Sequence, residues 1–336
     1  MQETSLPVPH GGELPVPHGG NLAAARARFP EAPEPFLDLS TGIAPRAFPL
    51  PALPVHTWAR LPEPADHAAL CAAATEHYAV PKGAVVVAAP GTQIMLPLLA
   101  ALVPPGRAAI LGPTYAEHAR AASLAGHSVT EGPMLAEADL ITVVNPDNPT
   151  GRVLDASALH ALAARQRAQG GLVVVDEAFL DATPGTASAI PLVPGGGVVV
   201  LRSFGKFHGL AGLRLGFAIA APDVAARLEA WLGPWAVSGP AIAIARAAFT
   251  DTSWTRVQCQ WLAAEAALLD GVLTKAGLRV LGGTPLFRFV EAPPGTAERL
   301  GRAGILVRAF AHWPDRLRIG LPPDATSRAR LAAALR

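Results

Sequence analysis

Lys206 and Arg214 are the side chains whose sequence surroundings most clearly indicate a catalytic or ligand-binding role. Lys206 is one of only three lysines in the sequence, with Lys82 and Lys275, and it lies in the apolar segment 203–207. Desolvation in such a segment lowers the pKa of a lysine and makes its amine a usable nucleophile or base. Arg214 follows eight positions later in a predicted strand that is otherwise apolar, where an unpaired guanidinium would be costly. The sequence therefore predicts a reactive amine at position 206 and an anionic ligand beside Arg214.

Other polar residues and glycines directly follow predicted strands. Gly91 and Thr92 stand at a strand–helix junction, where such residues either cap the helix or present backbone N–H groups to a phosphate. Asn148 lies in the sequence Asn-Pro-Asp-Asn-Pro-Thr-Gly, which is typical of a turn, and Asp176 follows a run of valines. Tyr115, one of two tyrosines, follows another strand. Because ligands bind outside the carboxyl ends of parallel strands, these residues predict one active site at one edge of a sheet.

Strand-like and helix-like segments alternate between residues 65 and 220. The predicted strands are short, rich in valine and isoleucine, and apolar on both faces, as in a buried parallel sheet covered by helices. They span residues 84–88, 108–111, 140–144, 172–175, 198–201 and 215–220. The helical connections are long enough for crossovers, so the pattern predicts a doubly wound, mostly parallel α/β sheet.

The pattern changes after Pro222, and the rest of the chain is predicted to form a smaller α+β lobe. Helical stretches at about 240–250 and 253–276 precede predicted strands at 286–290, 305–309 and 316–319 and a final helix. We expect three parts: an N-terminal arm and loop segment over residues 1–50, a large α/β domain over 51–235, and a small C-terminal domain over 236–336.

Composition and charge exclude several classes of protein. Of the 336 residues, 51% are hydrophobic and 16% are charged, which excludes global disorder. The 27 basic and 26 acidic residues nearly cancel, so no broad electrostatic footprint for nucleic acid or an anionic membrane is expected. The two cysteines form no Cys-x-x-Cys motif, and we find neither a secretory signal nor a membrane-length apolar run. We expect a cytoplasmic enzyme that acts on a small molecule.

The first twenty residues contain a tandem repeat, Leu-Pro-Val-Pro-His-Gly-Gly, at 6–12 and 14–20. Alternating prolines favour an extended arm, and the second copy leads directly into a helical stretch. A metal site built from His10 and His18 is an alternative, but no further ligand is spaced near them, so we expect no metal.

Asn148, Asp176, Lys206 and Arg214 together resemble the signature of the class I/II aminotransferase superfamily, the fold-type-I pyridoxal-phosphate enzymes. The element Ser-Phe-Gly-Lys-x-x-Gly-Leu-x-Gly-x-Arg-x-Gly at 203–216 is very specific, and the resemblance covers almost the whole chain. It implies that pyridoxal 5'-phosphate is the cofactor, that Lys206 binds it covalently, and that Asp176 pairs with its pyridine nitrogen.

The same resemblance implies the remaining cofactor contacts. Asn148 would hydrogen-bond the 3-oxygen of the cofactor, and Tyr115 would stack on its ring. The phosphate group would be held by Gly91, Thr92, Ser203 and Arg214. The superfamily often has a tyrosine three residues after the aspartate that also bonds the 3-oxygen, whereas this chain has Phe179.

Within the superfamily the chain is most similar to the threonine-phosphate decarboxylase family of cobalamin biosynthesis. The similarity lies in His-Gly-Gly-Asn at 18–21 and in the segment 37–45, where the family's Ser-x-Asn-Ile-Asn-Pro loop is replaced by Ser-Thr-Gly-Ile-Ala-Pro. It implies that a homodimer decarboxylates L-threonine O-3-phosphate to (R)-1-amino-2-propanol O-2-phosphate. The implied substrate-binding residues are His18, Gly19, Gly42, Asn148, Arg308 and Arg318, with Arg318 on the carboxylate and Arg308 on the phosphate.

Other functions would use the same residues. Histidinol-phosphate aminotransferase shares the fold, the cofactor residues and a phosphorylated substrate, so the cofactor residues do not separate it from a decarboxylase. The Ser-x-x-Lys at 203–206 also occurs in penicillin-binding hydrolases, but their Ser-Asp-Asn and Lys-Thr-Gly elements are absent from this sequence. A dinucleotide-dependent dehydrogenase would need Gly-x-Gly-x-x-Gly after a strand, which is also absent. The intact Asp176, Lys206 and Arg214 argue against an inactive binding protein on the same fold.

Overall fold

The computed structural model describes residues 18–336. The first copy of the tandem repeat, the proposed extended arm and His10 lie outside these described residues. The strands are β1 (Leu37–Leu39), β2 (Val85–Ala89), β3 (Arg107–Leu111), β4 (Ser128–Gly132), β5 (Leu140–Val144), β6 (Leu172–Asp176), β7 (Val198–Ser203), β8 (Gly216–Ala220), β9 (Arg279–Thr284), β10 (Phe287–Glu291), β11 (Ile305–Phe310) and β12 (Trp313–Gly320).

Helices cover the sheets and connect the strands. They are α1 (Leu22–Arg28), α2 (Val55–Ala59), α3 (Pro64–His77), α4 (Met95–Ala100), α5 (Glu117–Leu124), α6 (Ala156–Ala168), α7 (Phe204–Phe207), α8 (Pro222–Leu232), α9 (Gly239–Thr250), α10 (Thr252–Lys275), α11 (Thr296–Arg302) and α12 (Ala325–Leu335). Several begin at a side chain that accepts a backbone N–H of the first turn, as Asp155 does for α6 and Asp251 for α10. No helix within residues 18–336 has the length and hydropathy needed to cross a membrane.

The larger sheet has seven strands in the order β2-β8-β7-β6-β5-β3-β4. Strand β8 is antiparallel to β2 and β7, and the other neighbours are parallel, which confirms the predicted mostly parallel α/β fold. Every residue of β5, β6 and β7 is buried because helices pack on both faces. Successive valines of β6 alternate between the two cores, with Val173 in one cluster and Val174 in the other.

The smaller sheet has the order β1-β11-β12-β10-β9. Its first strand comes from the N-terminal segment, and Leu37–Leu39 pairs in parallel with residues 305–307 of β11. Strands β1, β4 and β9 depart from the sequence-based expectation, which placed no strand there. All three lie at sheet edges, β4 is largely polar, and β9 contains the glycine pair Gly282 and Gly283, so none shows the apolar pattern of a central strand.

Candidate active site

A cavity of about 530 Å³ opens where the carboxyl ends of the large-sheet strands face the smaller sheet and the N-terminal segment. Every residue predicted for the site lines this cavity. They are His18, Gly19, Gly42, Gly91, Thr92, Tyr115, Asn148, Asp176, Ser203, Lys206, Arg214, Arg308 and Arg318. The fold thus brings together segments that are far apart in the chain, and the role of each residue remains a prediction.

Asp176 ends β6 at the bottom of the cavity and is fixed by two donors. Its Oδ2 lies 3.0 Å from Nε2 of His118, and its Oδ1 accepts the N–H of Ala178 at 3.0 Å. Burial alone would raise the pKa of Asp176, but the hydrogen bond from His118, together with the charges of His118 and Lys206, lowers it. The carboxylate is therefore ionised near neutral pH and keeps a negative charge at the end of a buried strand.

Lys206 lies in α7, directly after β7, and its amine reaches the same cavity. Desolvation by the surrounding protein lowers the pKa of Lys206, and the nearby guanidiniums of Arg318 and Arg214 lower it further, against the opposing effect of Asp176. A lowered pKa leaves more of the amine neutral and nucleophilic near pH 7.

Phe179 forms an apolar wall beside this amine. Lys206 Nζ is 5.1 Å from the centroid of the Phe179 ring, and that ring packs edge-on against Phe287 with 5.1 Å between centroids. A Cβ at Gly42 would be 2.8 Å from Phe179 and 2.9 Å from Phe287. Two of the three departures from the family pattern, phenylalanine at 179 and glycine at 42, are therefore neighbours, because the rings fill the space that a side chain at position 42 would need.

Gly91 and Arg214 form one end of the cavity. Gly91 has φ +87° and ψ 160°, a conformation that is essentially restricted to glycine, and a Cβ there would be 2.7 Å from Nη2 of Arg214. The sequence placed Arg214 in an apolar strand, which is wrong: it is exposed and lies in the turn before β8, with φ 53° and ψ 62°. Its Nη1 donates to the carbonyl of Ala211 at 3.0 Å. The absence of a side chain at Gly91 thus leaves space beside the guanidinium of Arg214, which suits an anion such as phosphate.

Asn148 is held by the loop that carries it. Asp147, which is buried, accepts Oγ1–H of Thr114 at 2.6 Å and both the N–H and Oγ1–H of Thr150. With its loop fixed in this way, Asn148 accepts a hydrogen bond from Arg318 through Oδ1. The amide N–H₂ of Asn148 is the end that remains for a ligand.

Arg308 in β11 and Arg318 in β12 are direct cross-strand partners. Arg318 is buried, donates to Asn148 and donates at 2.6 Å to the carbonyl of Ser40, and its Nε has no hydrogen-bond partner among residues 18–336. Desolvation and the charge of Arg308 lower the pKa of Arg318 to about 10. Neither guanidinium forms an ion pair within the described part of the chain. Since like charges placed opposite each other are destabilising, the pair is suited to binding anions from the cavity.

Sequence reasoning missed three supporting residues: His118 and Glu117, which lie behind the cavity, and Gln93, which lines it. His118 bonds Asp176, while Gln93 accepts the hydroxyl of Tyr115 at 2.9 Å and donates to Glu117 at 2.8 Å. Their hydrogen-bond partners are tens of residues away in the chain, so no local sequence motif identifies these residues. The available signal was the segment Tyr-Ala-Glu-His at 115–118, which places two titratable residues at the start of a helix that directly follows a predicted site residue.

Comparison with known proteins agrees with this architecture. The family model for aminotransferase class I and II matches residues 44–335. A threonine-phosphate decarboxylase from Sinorhizobium sp is 46% identical over 98% of this chain and 98% of its own length, and one from Pseudomonas aeruginosa is 43% identical over 97% and 96%. The crystal structure of histidinol-phosphate aminotransferase from Sinorhizobium meliloti in complex with pyridoxal-5'-phosphate superposes with a TM-score of 0.81, covering 96% of this chain and 94% of that one at 20% identity. The likeness to that structure shows the fold, and the family match and the full-length relatives show that this chain belongs to the class I and II aminotransferase family.

Proposed function

We propose that this protein is a pyridoxal-phosphate-dependent lyase that decarboxylates L-threonine O-3-phosphate to (R)-1-amino-2-propanol O-2-phosphate in cobalamin biosynthesis. The two relatives named threonine-phosphate decarboxylase, which match this chain over nearly their full length, support this assignment. Family membership also supplies the cofactor, pyridoxal 5'-phosphate.

The observation that carries the proposal is the number and placement of guanidiniums in one cavity. Arg214 lies beside Gly91, while Arg308 and Arg318 face the cavity from adjacent strands. An amino-acid phosphate brings a carboxylate and a phosphate, and the cofactor brings a second phosphate, so the three anionic groups match the three cations. Histidinol phosphate has no carboxylate, so in the aminotransferase alternative the third guanidinium would be paired only by the carboxylate of the second substrate, 2-oxoglutarate or glutamate. A decarboxylase fills all three with one substrate and the cofactor.

The residues of the cavity fit pyridoxal 5'-phosphate. The glycine at position 91 leaves open the space next to Arg214 that a phosphate would need, and the ionised carboxylate of Asp176 lies at the bottom of the same cavity. Lys206 supplies the amine for covalent attachment, and Tyr115 supplies an aromatic wall. When bound, the cofactor acts as an electron sink for the electron pair that the departing CO2 leaves at Cα.

The side chains of this protein would perform the other parts of the reaction. Asp176, kept ionised by His118, holds a proton on the pyridine nitrogen. Arg318 grips the substrate carboxylate through its free donors, and Arg308 binds the phosphate, so the bond that must break is held in a fixed direction. Phe179 places an apolar ring beside the amine of Lys206, which we assign to return a proton to Cα.

The test is a measurement of CO2 from purified protein incubated with the cofactor and threonine phosphate. The proposal predicts equal amounts of CO2 and aminopropanol phosphate, with no requirement for a 2-oxo acid, and loss of both in Lys206→Ala. Absence of CO2 together with rapid, 2-oxoglutarate-dependent transamination of histidinol phosphate would replace this function with the aminotransferase alternative.

The assembly, the location and the domain limits are proposed with it. We propose a cytoplasmic homodimer that binds a small phosphorylated amino acid, with a large domain over 51–235 and a small one over 236–336. The seven-stranded sheet, which falls entirely within the first of these ranges, supports the division. Light scattering on the eluting protein peak measures the mass and tests the dimer.

A further inference from the structure

One buried carboxylate, that of Glu117, connects the N-terminal segment to the aromatic wall of the cavity. Its Oε1 lies 3.0 Å from Nε2 of His18, and its Oε2 accepts Nε2–H of Gln93 at 2.8 Å and Nη1–H of Arg120 at 3.1 Å. Gln93 in turn accepts the hydroxyl of Tyr115 at 2.9 Å. The carboxylate thus stands at the centre of a network that reaches from residue 18 to the ring predicted to stack on the cofactor.

Glu117 acts from behind the cavity and does not line it. Its side chain is 7% exposed, whereas His18, Gln93 and Tyr115 all line the cavity. The His18 and Tyr115 rings lie 5.8 Å apart, so the carboxylate sets the spacing of two rings that meet at the mouth. Any effect of Glu117 on a ligand must therefore pass through these neighbours.

The chemistry of the network fixes the direction of each hydrogen bond. Burial alone would raise the pKa of Glu117, but the hydrogen bonds from His18 and Arg120 lower it, so the group is ionised near neutral pH. An ionised carboxylate only accepts hydrogen bonds, which requires Nε2 of His18 to carry its proton and to donate. Breaking one bond leaves a largely buried charge with fewer donors, so the arrangement resists rearrangement.

We propose that Glu117 is a positioning residue that holds the imidazole of His18 and the ring of Tyr115 over the cavity, and that through His18 it sets the affinity for the phosphorylated substrate. The substrate part of this inference rests on the proposed function, in which His18 contacts the substrate. The positioning part concerns only residues of this chain and can be measured without substrate.

The experiment compares the holoenzyme with Glu117→Gln and with the matched control Glu137→Gln, which makes the same change at an exposed glutamate. Acylation of His18 by diethyl pyrocarbonate, followed by peptide mass spectrometry, reports release of the imidazole. The visible circular dichroism band of the bound cofactor reports the position of the Tyr115 ring relative to the cofactor. In Glu117→Gln the acylation rate is expected to rise about 10-fold, the factor for losing one hydrogen bond to a charged group, and the band is expected to change.

Kinetics then test the substrate part. Glu117→Gln is expected to raise KM for threonine phosphate by about 10-fold with a smaller effect on kcat, and to have no further effect on KM in a His18→Ala background. An equal rise of KM in that background would overturn the route through His18. If His18 acylation rises while neither protein releases CO2, the positioning role stands and the proposed function fails.

A second variant separates the two branches of the network. Gln93→Ala cuts the link to Tyr115 and leaves the contact between His18 and Glu117 in place, so it is expected to change the dichroism band and not the acylation rate. An unchanged band in Gln93→Ala overturns the Tyr115 branch. Wild-type acylation of His18 in Glu117→Gln, or an equal rise in Glu137→Gln, overturns the His18 branch.

Discussion

Replacing Gly91 with alanine should have two separate effects: it should lower the free energy of unfolding, and it should weaken binding of the cofactor. At φ +87° and ψ 160° an alanine is strained by about 1–3 kcal/mol, which lowers the stability of the protein with or without cofactor. The new Cβ would also lie 2.7 Å from Nη2 of Arg214, so the guanidinium must move away from the proposed phosphate position. Loss of a hydrogen bond between charged groups costs about 1.5–3 kcal/mol, or roughly 10- to 150-fold in the dissociation constant of pyridoxal phosphate.

Gly185→Ala is the matched control. Gly185 has φ +86°, but nothing lies within 4 Å of its missing Cβ, so the variant introduces a positive-φ alanine and leaves the cavity intact. Equilibrium titration by cofactor absorbance measures affinity, and urea unfolding of the cofactor-free proteins measures stability. Both variants should lose stability, and Gly91→Ala alone should lose affinity. Wild-type affinity for the cofactor in Gly91→Ala would refute the assignment of the space between Gly91 and Arg214 to the cofactor phosphate.

Three further substitutions test other groups of the site and its support. Asp176→Asn removes the charge that keeps the pyridine nitrogen protonated, and kcat for CO2 release should fall on the order of 10²- to 10³-fold; an unchanged kcat would contradict its role. Arg308→Ala should lower kcat/KM for threonine phosphate by roughly 10- to 150-fold in steady-state assays, while the exposed Arg302→Ala should not. Burial lowers the pKa of His208 to about 4, from 6.5 in an unfolded chain, so the unfolded state takes up the proton first and stability should fall by about 3 kcal/mol as pH drops from 6.5 to 4. Urea titrations at several pH values should show that the free energy of unfolding falls less steeply with decreasing pH in His208→Asn than in the wild type. An identical pH dependence in both proteins would refute the lowered pKa of His208.

The central sheet and the cavity-lining residues could be predicted because their signals are local. Runs such as Leu-Val-Val-Val before Asp176 are apolar on both faces, which only a sheet covered on both sides accommodates. The polar residue after each run then falls at one edge, and the structure places Asp176, Asn148 and Lys206 around one cavity as expected. Arg308 and Arg318 were each predicted to lie in a strand, but their direct pairing depends on the register of the two strands and is seen only in the structure.

Other features depend on residues that meet only in the folded chain. Strand β1 pairs with β11 across more than 260 positions, and three residues carry no periodicity that predicts a strand. The contact between His118 and Asp176 spans 58 positions, and that between His18 and Glu117 spans 99. Tertiary packing, not local preference, sets such contacts, so only the types of these residues were visible beforehand.

The most direct test of the account is chemical trapping of the cofactor on the protein. Borohydride reduction of the holoenzyme followed by peptide mapping should place the pyridoxyl group on Lys206, and Lys206→Ala should carry none. With only Lys82 and Lys275 as other lysines, the assignment is unambiguous. Pyridoxyl label on either of those lysines, or none at all in protein that still releases CO2 from threonine phosphate, would contradict it.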